Sequence, residues 1–294
     1  MVIITAGMPR AGNSWYAPLI ESLLSVSEPR ASDRRQLLGS GCPDQPGCVE
    51  RTQLSDLSAQ SLQAVMEGSW PHGISQASSL AAPTRAVVDG IAQGRLRVTY
   101  LDRDPRDVVL SSLEYGGFLR ATGKPDRVYA PVRALSQAVD LWAIYMDDVW
   151  SRWRAVPGVH FVRYGDMIRD PRATLRGLAD HLGREIDDAG IEIALAWAEE
   201  RSRLAQEHQR RISPPRDAGR FRLVMNEAEQ HHCLAAFREH LIAGEYSLEV
   251  EVDPGALGLD RHLEVFEAIH RHRFQRRVER EAAVQHTLQL VAAG

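Results

Sequence analysis

The sequence predicts an α/β fold in which a mostly parallel central sheet is flanked by helices, with a long helix at the C-terminus. Short apolar, β-branched segments alternate with longer segments whose apolar residues recur at helical spacing. The first such segment leads through a glycine-punctuated turn directly into a helix, which is the entry unit of a phosphate-binding α/β fold. The chain has 294 residues, of which 44% are hydrophobic and 25% charged, so it can bury its own core.

Each predicted element follows from local sequence. Strands are predicted at 2–6, 96–101 and 159–163, where apolar residues on both faces suit a buried parallel sheet. Asp-Pro pairs predict the starts of two helices, because aspartate caps a helix and proline suits its first turn. Predicted helices cover 14–25, 58–67, 83–93, 105–115, 132–154, 171–182, 189–209, 227–243 and 260–290.

The connecting segments define the domain organisation. Residues 27–56 are rich in turn formers and predict a long surface loop or lid, and shorter loops are expected at 70–82 and 116–131. We expect one domain at 1–250 and a helical extension at 251–294 that packs on this domain or on a partner subunit.

Charge and cysteine content exclude several classes. The net charge of −4 argues against a nucleic-acid binder, and no apolar run is long enough for a membrane span. Three scattered cysteines, Cys42, Cys48 and Cys233, provide neither a disulfide framework nor a four-ligand zinc site. The first residues show no targeting leader, so a cytoplasmic location is expected.

A turn with the spacing of a nucleotide phosphate-binding loop follows the first strand. It runs from Gly7 to Ser14, with Asn13 at the position that lysine usually takes and Arg10 as its one cation. Glycines let backbone amides face an anion, and the following helix adds its positive dipole end. A loop with one early cation suits a singly charged sulfonate better than a γ-phosphoryl group, which needs lysine and Mg²⁺.

This loop resembles the 5′-phosphosulfate motif of sulfotransferases, commonly Pro-Lys-Ser-Gly-Thr-Thr-Trp, which reads Pro-Arg-Ala-Gly-Asn-Ser-Trp here at 9–15. The resemblance implies a P-loop NTPase-like sulfotransferase fold. It also implies a donor, 3′-phosphoadenosine 5′-phosphosulfate (PAPS), which leaves as 3′,5′-adenosine bisphosphate (PAP) without a metal. The donor contacts implied in this motif are Arg10, Ala11, Gly12, Asn13, Ser14 and Trp15. Arg10 is also expected to act electrostatically in catalysis, since arginine keeps the charge but is no proton donor.

A second motif, Arg-Asp-Pro-Arg-Asp-Val-Val-Leu-Ser at 103–111, directly follows a predicted strand. It resembles the 3′-phosphate motif of the family, in which an arginine and a serine eight residues later hold the phosphate. Arg103 and Ser111 occupy these positions, and Ser111 is also expected to take part in catalysis. A guanidinium fork and a hydroxyl group suit a dianionic phosphate.

Two further segments match more loosely. Arg-Tyr-Gly-Asp-Met at 163–167 resembles the family segment Arg-Tyr-Glu-Asp-Leu, which implies that Tyr164 hydrogen-bonds the adenine and that Trp15 stacks near it. The basic glycine-rich loop of the family has its nearest counterpart at 216–222, which is shortened and lacks the paired glycines. The donor contacts expected there are Arg216, Gly219 and Arg220, with Arg222 as a further candidate. A solvated basic loop is the alternative interpretation.

Transfer also needs a base that takes a proton from the attacking group. Relatives place a histidine between the phosphate-loop helix and the 3′-phosphate strand, and His72 is the only histidine in that interval. We expect His72 to be this base; the alternative is a surface histidine without a role. The other ten histidines lie among charged residues and provide no clear set of metal ligands.

The sequence therefore predicts a sulfotransferase that moves a sulfuryl group to a hydroxyl or amine of a small organic acceptor, such as a natural product. Candidates for an aromatic acceptor pocket are Trp70, Tyr115, Phe118 and Tyr129. Two alternatives stay open. One is a kinase-like phosphotransferase, which would need a loop lysine and a magnesium ligand. The other is a non-catalytic nucleotide-binding interaction protein with the C-terminal helix as its partner surface. For the sulfotransferase itself, the C-terminal helix could mediate a homodimer.

Overall fold

A computed structural model describes residues 2–27, 74–78, 82–124, 126, 128–209 and 217–293. Most of the loop predicted at 27–56 and the helix predicted at 58–67 lie outside these residues.

Four parallel strands form one sheet in the order β2-β1-β3-β4. Their bounds are β1 (Val2–Gly7), β2 (Ile74–Ser78), β3 (Leu96–Asp102) and β4 (Val159–Arg163). The register places Gly7 beside Ser78 on one side and beside Leu101 on the other. Because all strands run the same way, the turn after β1 and the chain after β3 leave from one edge of the sheet.

Helices connect and flank the strands. They are α1 (Asn13–Ser27), α2 (Arg85–Ala92), α3 (Pro105–Ala121), α4 (Leu135–Tyr145), α5 (Ser151–Arg154), α6 (Tyr164–Arg169), α7 (Pro171–Leu182), α8 (Asp188–Gln209), α9 (Phe221–Val224), α10 (Glu227–Ala243) and α11 (Leu259–Ala293). One π-helical turn, Met146–Trp150, joins α4 to α5. The predicted fold class, a parallel sheet flanked by helices with a long C-terminal helix, is confirmed.

The structure differs from the sequence prediction in several elements. The single helix predicted at 132–154 starts later, at Leu135, and contains the π turn. Strand β2 lies in the predicted loop at 70–82, and α3 continues to Ala121, into the predicted loop at 116–131. Helices α6 and α9 were not predicted, because four to six residues are too short for a periodic pattern.

The chain divides into two compact units. The first comprises residues 1–104 and 144–218 and contains the sheet; within it α1 packs on α8, α2 on β3, and α7 on β3 and β4. The second comprises residues 105–143 and 219–294; within it α3 packs against α10 and α11, and Arg120 of α3 forms an ion pair with Glu267 of α11. The domain boundary expected at 250 stays a prediction. Among the described helices, none is long and apolar enough to cross a membrane.

Candidate functional site

The turn between β1 and α1 is closed by its own backbone. The Met8 amide donates to the Leu101 carbonyl at 3.0 Å, which continues the β1–β3 ladder by one residue, and the Ala11 amide donates to the Met8 carbonyl at 3.1 Å. The amides of Gly12 and Ser14 have no hydrogen-bond acceptor among the described residues. Two N–H groups at the start of a helix are therefore open to an anion, at the positive end of the helix dipole.

Asn13, at the usual lysine position, braces this turn. Its side-chain Nδ2 donates to the Met8 carbonyl at 2.8 Å. A Cβ on Gly7 would collide with Asn13 Oδ1 and lie 3.0 Å from Leu101 Cβ, so the first glycine of the motif is required by close packing. The side chain at this position thus faces back into the loop and adds no cation to it.

The second glycine of the loop lies against an aromatic ring. Gly12 has φ 110°, and a Cβ there would lie 2.5 Å from Tyr164 Cε2. Tyr164 is the first residue of α6, directly after β4, and is 5% exposed. Only glycine satisfies both this backbone conformation and this contact.

Arg103 lies next to the same loop. It follows β3, is 7% exposed, and donates from Nη1 to the Arg10 carbonyl at 3.3 Å and from Nη2 to the Asp217 carbonyl at 3.2 Å. Its Cζ lies 4.3 Å from the centroid of the Tyr164 ring, in cation–π geometry. The structure thus brings together Arg10, Gly12, Arg103 and Tyr164, four of the residues singled out in the sequence.

A buried carboxylate supports Arg103 and was missed in the sequence. Oδ1 of Asp102, the last residue of β3, accepts the Arg103 amide at 3.0 Å and Trp150 Nε1 at 3.0 Å. Asp102 is 3% exposed and Trp150 is 4% exposed. Trp150 is the last residue of the π turn, and the apolar periodicity of the sequence does not indicate such a turn. The position of Asp102 directly before the motif arginine was a signal that could have been used.

Helix α3, in the second unit, carries the rest of the second motif. Ser111 is 3% exposed on this helix. Asp107 accepts the backbone amides of Gly219 at 2.7 Å and Phe221 at 3.1 Å, so it anchors the segment that was expected to be a basic loop. The two oxygens of one carboxylate suit this pair of bonds to nearby amides, as in a helix cap.

Arg220 makes a buried ion pair on the same helix. Its guanidinium donates to both carboxylate oxygens of Glu114, at 3.0 and 2.5 Å, and His262 Nε2 lies 2.9 Å from Glu114 Oε1. Burial raises the pKa of Glu114, but the hydrogen bonds from His262 and Arg220 outweigh it and hold the pKa below its ordinary value. The structure therefore places the Arg220 side chain on Glu114.

Other predicted site residues are placed less fully. His72 and Arg216 lie outside the described residues. Trp15 is 8% exposed, so most of its indole is packed inside the protein. Within the described part of the chain, no group of three or more His, Cys, Asp or Glu side chains is arranged to hold a metal ion.

Three of the four aromatic pocket candidates form one cluster in the second unit. The ring of Tyr115 stacks on Phe118 at 6.4 Å between centroids and meets Tyr129 edge-on at 5.5 Å. Trp70 lies outside the described residues.

The chain is similar in sequence to known proteins. A family model described as "Sulfotransferase domain" matches residues 2–203. Sulfotransferase 2A1 of Rattus norvegicus is 23% identical over 118 residues, which are 40% of this chain and 42% of that protein. The 3-alpha-hydroxysteroid sulfotransferase of Cavia porcellus is 23% identical over 106 residues, 35% of this chain and 37% of that protein. The match thus spans about two fifths of the length of these relatives.

Solved structures share the fold of this chain. Mouse sulfotransferase SULT7A1, complexed with PAP, superposes with a TM-score of 0.54 at 14% identity and covers 84% of this chain and 89% of its own. Retinol dehydratase, in complex with androsterone and the inactive cofactor PAP, superposes with a TM-score of 0.50 at 16% identity, over 82% of this chain and 80% of its own. At identities this low, the superpositions are evidence of a shared fold alone.

Proposed function

We propose, from the premise that this chain belongs to the sulfotransferase domain family, that it transfers a sulfuryl group from PAPS to a hydroxyl or amine of a small organic acceptor. One observation carries the proposal. The guanidinium of Arg103 lies within hydrogen-bond distance of the Arg10 carbonyl, in the same loop that presents the amides of Gly12 and Ser14. Two anion-binding elements at one edge of the sheet suit an adenosine that carries phosphates on two of its hydroxyls.

The loop is assigned to the 5′ end of the donor. Its open amides, the dipole of α1 and the charge of Arg10 would attract the phosphosulfate. Ala11 and Asn13 would contribute through the shape of the loop, which their hydrogen bonds to the Met8 carbonyl maintain. These groups also stabilise the negative charge that grows on the 5′-phosphate oxygen as sulfur leaves it.

The reaction is an in-line displacement at sulfur. The acceptor oxygen or nitrogen forms a bond to sulfur while the bond from sulfur to the 5′-phosphate oxygen breaks, and PAP leaves. The proton of the acceptor passes to a base, for which we retain His72 on the basis of the sequence. No step requires a metal ion.

The 3′-phosphate is assigned to Arg103, with Ser111 added on the basis of the motif. Contact of Tyr164 and Trp15 with the adenine, and of Arg216, Gly219 and Arg220 with the donor, remain proposals of the same kind. The acceptor is assigned, on the basis of the sequence, to an aromatic-lined pocket; its candidates Tyr115, Phe118 and Tyr129 lie together in the second unit. Exposed Val265 and Ile269, one turn apart on α11, make this helix the candidate surface for a homodimer.

The direct test has two parts. PAP binding is measured by calorimetry in EDTA, and transfer is measured by mass spectrometry with PAPS and a panel of phenols, alcohols, amines and natural-product scaffolds. We expect micromolar or tighter PAP binding without Mg²⁺ and an acceptor that gains the mass of one sulfate. Tighter binding of ATP with Mg²⁺ than of PAP would instead support a phosphotransferase, and PAP binding without transfer to any acceptor would support a binding protein.

Arg103→Ala tests the 3′-phosphate assignment. Loss of a charge-assisted hydrogen bond costs about 1.5–3 kcal/mol, so PAP affinity should fall roughly 10- to 100-fold. Affinity for AMP, which lacks the 3′-phosphate, should change little. Arg95→Ala, an exposed arginine of the same unit, is the control and should leave both affinities unchanged. An equal loss for PAP and AMP would contradict the assignment.

A further inference from the structure

We propose that Asp102 and Trp150 are positioning residues for the 3′-phosphate of the donor, because they fix the backbone from which the Arg103 side chain starts. This inference rests on the proposed function, in which Arg103 binds that phosphate. It concerns two residues that no sequence motif includes.

The contacts form a short chain. Trp150 Nε1 and the Arg103 amide donate to the same oxygen, Asp102 Oδ1, each at 3.0 Å. Both side chains are buried, at 3% and 4% exposure, so water competes little for these bonds. The Trp150 bond therefore holds the carboxylate in the orientation in which it accepts the Arg103 amide.

The bond between the Arg103 amide and Asp102 lies at the point where the chain leaves β3. β3 ends at Asp102, where its ladder to β4 also ends, in the pairing of Asp102 with Arg163. The amide of the next residue has left the strand, and the Asp102 carboxylate accepts it. The direction in which the chain leaves the sheet is thus fixed at the residue that must aim a guanidinium.

The far end of Arg103 is fixed as well. Its guanidinium donates to the carbonyls of Arg10 and Asp217 and lies over the Tyr164 ring. Arginine has several rotatable bonds, and a side chain held at both ends loses less freedom when it binds a phosphate. Preorganisation of this kind should appear as selectivity for the 3′-phosphate.

The π turn gives a physical reason for the position of Trp150. Trp150 is the last residue of the turn Met146–Trp150. An inserted residue of this kind rotates the subsequent side chains by about 100° around the helix axis relative to an unbroken α-helix. π turns are frequent at functional sites. Here the turn ends on the side chain whose indole reaches Asp102, 48 residues earlier in the chain.

The test compares two tryptophans with equivalent bonds. Trp150→Phe keeps an aromatic ring and removes the N–H donor. Trp142→Phe is the matched control, because Trp142 is 2% exposed and donates Nε1 to Ser112 Oγ at 3.0 Å, away from Arg103 in sequence and in the other unit. Affinities for PAP and AMP are measured by calorimetry, with the melting temperature of each variant recorded alongside.

We expect Trp150→Phe to weaken PAP binding about 3- to 10-fold, the effect of one buried hydrogen bond, and AMP binding less than about twofold. Trp142→Phe should leave the PAP-to-AMP ratio unchanged even if its melting temperature falls equally. In an Arg103→Ala background Trp150→Phe should cause no further loss of PAP affinity, since a positioning residue acts only through the residue that it positions.

Two results would overturn the inference. One is a ratio of PAP to AMP affinity that Trp150→Phe leaves unchanged. The other is a loss of PAP affinity from Trp150→Phe that is as large in the Arg103→Ala background as in the wild type. If Trp150→Phe does not fold, Asp102→Ala, which removes the oxygen that accepts both bonds, takes its place with the same expectations. Failure of the proposed function is separate, because the wild-type chain would then show no selectivity for PAP over AMP.

Discussion

The ring of Tyr164 occupies the space that a side chain on Gly12 would need: a Cβ there would lie 2.5 Å from Tyr164 Cε2. The backbone of Gly12 also has φ 110°, a conformation that L-residues rarely adopt. The loop and α6 are therefore fitted to each other through one glycine.

Gly12→Ala should disrupt the loop. We expect a loss of stability of roughly 1–3 kcal/mol from backbone strain and at least a tenfold loss of PAP affinity by calorimetry. Gly94→Ala is the control, because Gly94 has φ 68° but no atom within 4 Å of the added Cβ. That variant should lose stability and keep PAP affinity. Equal PAP affinity in both variants would show that the loop does not bind the donor.

The assignment of His72 can be decided by kinetics. Loss of a general base typically lowers kcat by about 10²- to 10⁴-fold, so His72→Ala should show a fall in that range with PAP affinity unchanged. His231→Ala, a histidine 60% exposed on α10, is the control. A kcat within twofold of wild type would remove His72 from the mechanism.

Arg220 should contribute to stability more than to donor binding. Arg220→Gln removes one partner of a buried pair and should cost about 3–5 kcal/mol of unfolding free energy in urea denaturation. Arg222→Gln is the matched control, because its pair with Glu251 is more exposed, and it should cost less than about 1 kcal/mol. If Arg220→Gln stayed stable but lost PAP affinity, the donor contact expected from the sequence would be supported instead.

Two stacked histidines should make the first unit sensitive to acid. His160 and His181 lie 4.9 Å apart between ring centroids, and His181 Nε2 donates to the Val98 carbonyl at 3.0 Å. Burial lowers the pKa of His160. Burial, His160 and Arg97 together lower the pKa of His181 to about 4. Below pH 6.5 the unfolded chain takes up a proton at His181 that the folded chain takes up only near pH 4.

The free energy of unfolding should therefore fall as the pH drops from about 6.5 to about 4. The measurement is urea denaturation at several pH values. His181→Gln should flatten this dependence, whereas His231→Gln, at an exposed position, should leave it as in the wild type. A wild-type slope in His181→Gln would mean that other groups cause the acid sensitivity.

Local signals were sufficient for much of the fold. The aspartate cap at Asp170 and the left-handed Gly183 bound α7 as predicted, because both act within one helical turn. β2 was missed because Ile-Ser-Gln-Ala-Ser has a single β-branched residue, so its pairing with β1 and not its propensity makes it a strand.

The site was predictable where its residues belong to one loop or motif. Arg10, Gly12, Arg103 and Tyr164 were singled out in the sequence, and the structure places them together. Contacts between distant residues were not predictable, because nothing local encodes them. Arg220 donates to Glu114, which lies 106 residues earlier in the chain, and Trp150 donates to Asp102, 48 residues earlier.

Arg10 has φ 66°, a left-handed backbone that glycine would adopt at no steric cost and that arginine adopts at about 1–2 kcal/mol. The single cation of the loop is therefore carried by a residue whose main chain resists its own conformation. Gains in folding stability and gains in attraction for an anion are opposed at this one position. A variant with glycine at this position should therefore fold more stably and bind an anion less tightly.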